Sequence, residues 1–248
     1  KRVPNGGQIE HGHLGDETYK VKADVYARQL ELTYQDIVNG DALDIFADLM
    51  KRFAWGANRA IQKACWNAFL NPTADAGGND FFSANHGNLV TGKALNFANL
   101  AEATSAFITR KRGFGVDADE TLGVRPSLLI VPTELEFTAG MITKATLTSP
   151  ASNTVTNYNP FASYGWKVVS IPDLSDATYG GAYSDTTWYL GADPKRLAGF
   201  EIAFLNGQQA PTIRQQDVAI GRLGIAFDGH VDFGVSQQDY RGLLKVTA

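Results

Sequence analysis

Four histidines and one cysteine come first, because imidazole and thiolate carry most nucleophilic and metal chemistry near neutral pH. His11 and His13 stand two apart, so a strand puts both rings on one face, and His230 or Asp232 is the candidate to complete a metal site. No clustered ligand set surrounds them, and they read as separate surface histidines. Cys65 falls inside an apolar helical pattern, where a thiol is a small packed side chain. The sequence holds no G-x-S-x-G elbow, no Walker-type phosphate loop and no H-E-x-x-H. Glu134 and Glu136 follow Pro132 at a helix start, where carboxylates suit the positive end of the dipole. Asp117, Asp119 and Glu120 lie in a glycine-flanked loop and read as solvated. Arg110-Lys111-Arg112 offers a phosphate contact, but it also ends a helix ahead of Gly113, where cations meet the negative end of the dipole. Every chemically capable residue has a structural job, so no catalytic residue, cofactor or metal is expected.

The bulk numbers narrow the class further. With 248 residues, 44% hydrophobic and 19% charged, the chain fits one large domain or two units sharing a core. A net charge of −4 lacks the basic footprint of a sequence-specific DNA binder. One cysteine excludes an intrachain disulfide, and no apolar run reaches the ~20 residues of a membrane span. No signal peptide is recognised, and the start Lys1-Arg2-Val3-Pro4 is expected to be a processed end or part of something longer.

The elements that must position these residues are organised around 42–70. Leu43, Phe46, Met50, Phe53, Ala57, Ile61, Ala64 and Ala68 recur at three- and four-residue steps, predicting a helix capped by Asp41 and stopped at Asn71-Pro72. It would be about 40 Å long. Ile45, Leu49, Trp55, Trp66 and Phe69 lie off that stripe, so the helix reads as a spine with neighbours on more than one side.

Residues 7–34 read as a two-stranded ribbon. Val21, Ala23, Val25 and Ala27 alternate with Lys22, Asp24, Tyr26 and Arg28, and then the phase changes at Leu30 and Leu32, which predicts a bulge or sharp bend near Arg28-Gln29. A lone ribbon is marginal in water, so it needs a surface to lie on, and a neighbouring subunit is the natural candidate. A second helix capped by Asn96 or Asn99, a strand at 127–131, a third helix at 133–144, and strands at 166–171 and 187–191 suggest helices against a central sheet. Residues 147–159 read as an exposed loop. Near the end, 200–204 alternates before Asn206-Gly207, a hairpin signal, and long strands follow with a polar tip at 215–221. One strand through Leu223, Ile225 and Phe227 is expected to end near Asp228-Gly229, with Val231, Phe233 and Val235 continuing beyond it.

The ordered set Phe81-Phe82-Ser83, Leu129-Ile130-Val131-Pro132-Thr133-Glu134-Leu135, Trp188-Tyr189-Leu190-Gly191-Ala192-Asp193-Pro194, residues 202–211, Asp232-Phe233-Gly234-Val235 and Asp239-Tyr240-Arg241-Gly242 resembles tailed-phage major capsid proteins, above all Mu-like major head subunits and those fused behind a prohead protease. The resemblance covers nearly the whole chain. It implies an α+β, Hong Kong 97-type capsid fold. Residues 1–34 would form the extended loop, 35–94 and 196–235 the peripheral domain, and 95–195 with 236–248 the axial domain. It implies subunit contacts at Ile9, His11, His13, Tyr19, Val21, Lys22, Asp24, Tyr26 and Arg28 on the ribbon. It also implies contacts at Gln215, Gln216, Asp217 and Arg222 near threefold axes, and at Thr148, Asn153 and Asn157 toward five- or sixfold axes. The expected partners are the chain itself as hexamers and pentamers, portal and decoration proteins, and non-specifically packaged double-stranded DNA. The expected place is the virion, assembled in the host cytoplasm, with no membrane partner. Some relatives crosslink a loop lysine, but Lys20 and Lys22 have no identifiable acceptor or catalytic glutamate, so that activity is not carried over. The same fold makes an encapsulin-like nanocompartment shell the alternative; a soluble hydrolase is a remote one.

Overall fold

The computed structural model describes residues 19–39, 42–74, 78–113, 118–148, 157–180, 183–217 and 223–248. In chain order these form β1 (Asp24–Thr33), α1 (Tyr34–Val38), α2 (Ala42–Leu70), β2 (Leu89–Val90), α3 (Phe97–Ile108) and β3 (Leu128–Val131). Then come α4 (Glu136–Lys144), β4 (Leu147–Thr148), β5 (Asn157–Tyr158), β6 (Lys167–Ser170) and β7 (Trp188–Gly191). The chain closes with β8 (Phe200–Phe204), β9 (Thr212–Asp217), β10 (Gly224–Gln237) and β11 (Leu243–Val246).

Helix α2 spans the predicted residues and joins two sheets. Its first half lies across a four-stranded antiparallel sheet in which the 14-residue β10 is central, with β1 on one edge and β8 and β9 on the other. Leu49 and Phe53 pack against Leu32 and Phe227, and one turn on Ala57 meets Val231 and Phe233. Met50 differs from the reading: it is exposed, and Leu49 takes the buried place. Gly229 sits beneath Phe53, whose ring would lie 2.5 Å from any β-carbon built there. β10 therefore runs on through Asp228-Gly229, where the sequence suggested an end.

Two further expectations at this sheet are corrected. There is no bulge at Arg28-Gln29, because β1 pairs with β10 in unbroken register from Asp24 opposite Phe233 to Thr33 opposite Gly224. Tyr26, Leu30 and Leu32 share one face throughout. The change of character arises because α2 covers Leu30 and Leu32, while further along its buried residues turn to β10 and β8 and leave Arg28 and Asp24 uncovered. The ribbon reading is corrected with it: from Asp24 onward this strand is an edge of the chain's own sheet. Asn206 and Gly207 do form a tight turn with positive φ at both residues (54° and 73°), yet the strands it joins are not a hairpin. β8 and β9 each pair with β10, end to end along one edge, and 205–211 loops out between them. β10 simply offers an edge longer than either strand.

The second sheet has the order β2-β11-β7-β3-β6. Its strands are apolar on both faces because both are covered. Trp188, Leu190, Leu129, Val131, Leu244 and Val246 face α3 and α4, where Leu100, Phe107 and Ala139 close the core. Tyr189 and Leu243 face the end of α2, where Phe69, Leu70, Phe81 and Phe82 form an aromatic cluster with Leu174 and Tyr179. Asn96 caps α3, its side chain accepting from the Asn99 backbone N–H at 2.8 Å.

Candidate assembly surfaces

The positions expected to do chemistry are mostly absorbed by the fold. The Arg110 guanidinium is buried, donates to the Leu243 carbonyl at 2.8 Å and lies 4.1 Å from the Phe107 ring centre; burial brings its pKa down to about 10. Neither a phosphate contact nor a helix-end cation describes it. Lys111 and Arg112 meet Asp119 and Glu120 at 2.6 and 3.3 Å across a short β-bridge, so those acids are paired. Burial raises the Cys65 pKa, which suits an inert thiol. His11 and His13 lie outside the described residues. Among those described, no group of three or more His, Cys, Asp or Glu is placed to hold a metal ion, and no helix is long and apolar enough to cross a membrane.

A deeply buried carboxylate network ties α2 to the second sheet's side of the molecule. Asp173, 2% exposed, pairs with Arg59 Nη1 at 3.1 Å and accepts from Tyr179 Oη at 2.8 Å and Gln62 Nε2 at 3.3 Å. Desolvation, reinforced by Asp173, pushes the Tyr179 pKa up to about 12, so the phenol remains a donor at neutral pH. This is a joint between two units. Sequence periodicity has no signal for it, since Arg59 and Asp173 are far apart in the chain.

The residues expected at subunit contacts scatter as follows. Ile9, His11, His13, Asn153 and Arg222 lie outside the described residues. Tyr19, Val21 and Lys22 lead into β1, and Lys22 pairs with Asp24 at 3.1 Å on the exposed surface. Tyr26 stacks on Phe233 with ring centres 4.4 Å apart. Gln215, Gln216 and Asp217 lie on β9 opposite Phe227, Ala226 and Ile225. Thr148 and Asn157 face each other on β4 and β5.

Of these, the structure brings Tyr26 and Arg28 together with α2. They border a groove of about 480 Å³ between helix and sheet, floored by Phe53, Gly56, Ala57 and Ala60. Trp55, 72% exposed, stands at its lip. The sequence places Trp55 off the stripe with a neighbour expected beside it; among the described residues it joins neither core cluster that packs on α2's first half. On α4, Phe137 is 81% and Met141 57% exposed. Their four-residue spacing was visible in the sequence, but it was not singled out. Phe137 and Met141 lie one turn apart and make a contiguous exposed apolar patch, the kind of surface that can meet another molecule.

A family model described as phage capsid protein matches residues 16–246. The chain belongs to the phage capsid protein family. Solved structures agree on the fold, which is of Hong Kong 97 type. The Mycobacterium phage Che8 structure has a TM-score of 0.53 at 13% identity, over 98% of this chain and 77% of that one. The capsid of Myoviridae phage XM1 gives 0.54 at 10% identity, over 95% and 82%. The cyanophage Pam1 capsid asymmetric unit gives 0.53 at 12%, over 99% and 81%. No curated protein matches the sequence. For a phage capsid protein, whose place is the virion, exposed Trp55 and Phe137 read as surfaces for assembly.

Proposed function

We propose that this capsid protein is the major head subunit, which assembles as hexamers and pentamers into an icosahedral shell enclosing double-stranded DNA. The observation that carries the reading is the bulky apolar surface at Trp55, Phe137 and Met141 in a chain of the capsid family. Burial of such surface between copies supplies the driving force, and each further neighbour raises the effective concentration for the next contact. The four-stranded sheet with α2 is the peripheral domain, and the five-stranded sheet is the axial domain. The β4–β5 pair then points toward five- or sixfold axes, and the β9–β10 tip lies near threefold axes. The ordered run from Trp188 to Gly242 supports a Mu-like head subunit. The acidic net charge supports DNA that is confined and not bound site by site, with assembly in the host cytoplasm and with portal and decoration proteins as further partners.

The test is a deletion. Removing residues 12–19 is expected to leave a folded subunit that forms no closed shells, because the segment ahead of β1, proposed to reach a neighbour, is lost. Closed particles of normal size from that deletion contradict this role.

A further inference from the structure

Helix α4 is apolar on two sides. The side packed on the sheet carries Ala139, Thr143 and Ile142, while Phe137 and Met141, one turn apart, point to solvent. A helix beside water normally keeps large apolar residues off its outer side. Glu134 lies in the short 3-10 turn Thr133–Leu135 just ahead of α4, and Phe137 and Met141 follow on α4 at the four-residue spacing by which a helix presents anchors to a groove. Ser175 Oγ donates to the Glu134 carboxylate at 2.6 Å and fixes it there.

The same chain carries a trough of matching character. The groove between α2 and the sheet has an apolar floor kept open by Gly56, Ala57 and Ala60, and Arg28 and Arg52 stand on its rim. A β-carbon added at Gly56 would meet nothing within 4 Å, so the floor has room. Arg52 already holds Asp48 at 2.6 Å, an exposed pair of small net worth, which makes Arg28 the rim cation that matters.

We propose that α4 of one copy seats in this groove of the next, with Phe137 and Met141 beside Trp55 and Glu134 against Arg28. Ridge and trough lie on different parts of one chain, so the contact is heterologous and passes from copy to copy. A ridge packed on a ridge would stop at two. The inference rests on the shell-forming reading above and names one contact within it.

Two measurements test it. In a Cys65→Ala background, Trp55→Cys and Met141→Cys together are expected to give a ladder of disulfide-linked subunits after air oxidation of assembled particles. Neither cysteine alone should do so. Separately, Glu134→Arg and Arg28→Glu, both at exposed positions, should each lower the assembled fraction at least tenfold in light scattering, and the double charge reversal should restore it. Absence of the ladder from assembled particles, a disulfide-linked dimer from either single cysteine, or charge reversals without loss and rescue would overturn this contact. A wild-type chain that never assembles would instead overturn the shell reading itself.

Discussion

At Gly229 the phenyl ring of Phe53 occupies the space where any other residue would place its β-carbon. Gly229→Ala is expected to force helix and sheet apart at a cost of about 1–3 kcal/mol. Thermal unfolding monitored by circular dichroism should show the midpoint lowered by several degrees, and an unchanged midpoint contradicts the contact. The sequence marked this glycine as a strand end, since Asp-Gly is a turn signal, and only tertiary approach reveals its purpose. Met50 and Leu49 teach the same limit. Both fit a helical apolar stripe within one position, and the lie of the sheet beneath decides which is buried. At the candidate surfaces, the sequence points to β1 and not to Phe137 and Met141, which the structure leaves exposed. Its periodicity counts apolar residues without saying which of two faces meets the core.

Among elements, α2 was the most legible, because 29 residues of sustained pattern between an Asn-Gly-Asp start and an Asn-Pro stop leave little freedom. The longer strands are legible, while β4 and β5 fall at the ends of a segment that reads as a loop, and the pairing of the strands is not legible. The phase change in β1 looked like a slipped register and is the track of α2 across the sheet. Asn206-Gly207 looked like a hairpin and is a kink along the edge of β10. What joins the elements was least visible of all. Removing the buried carboxylate by Asp173→Ala leaves Arg59, Gln62 and Tyr179 without their shared acceptor, and should destabilise the subunit by about 2–4 kcal/mol. Chemical denaturation measures this directly; a loss below about half a kcal/mol would show that the joint between α2 and the second sheet lies elsewhere.

For the molecule as a whole, the fold class and the family were readable because ordered motifs spread over nearly the full length, although none is diagnostic alone. Two sheets share one long helix, and each unit leaves large apolar side chains in water: Trp55 and Val25 on one, Phe137 and Met141 on the other. The proposed tiling with copies of itself would take this apolar surface out of water. Electron cryomicroscopy of the purified wild-type protein is the most direct measurement. The account predicts closed shells in which Trp55 and Phe137 are buried between neighbouring subunits. A monodisperse monomer at every concentration, with both side chains still in solvent, would contradict it.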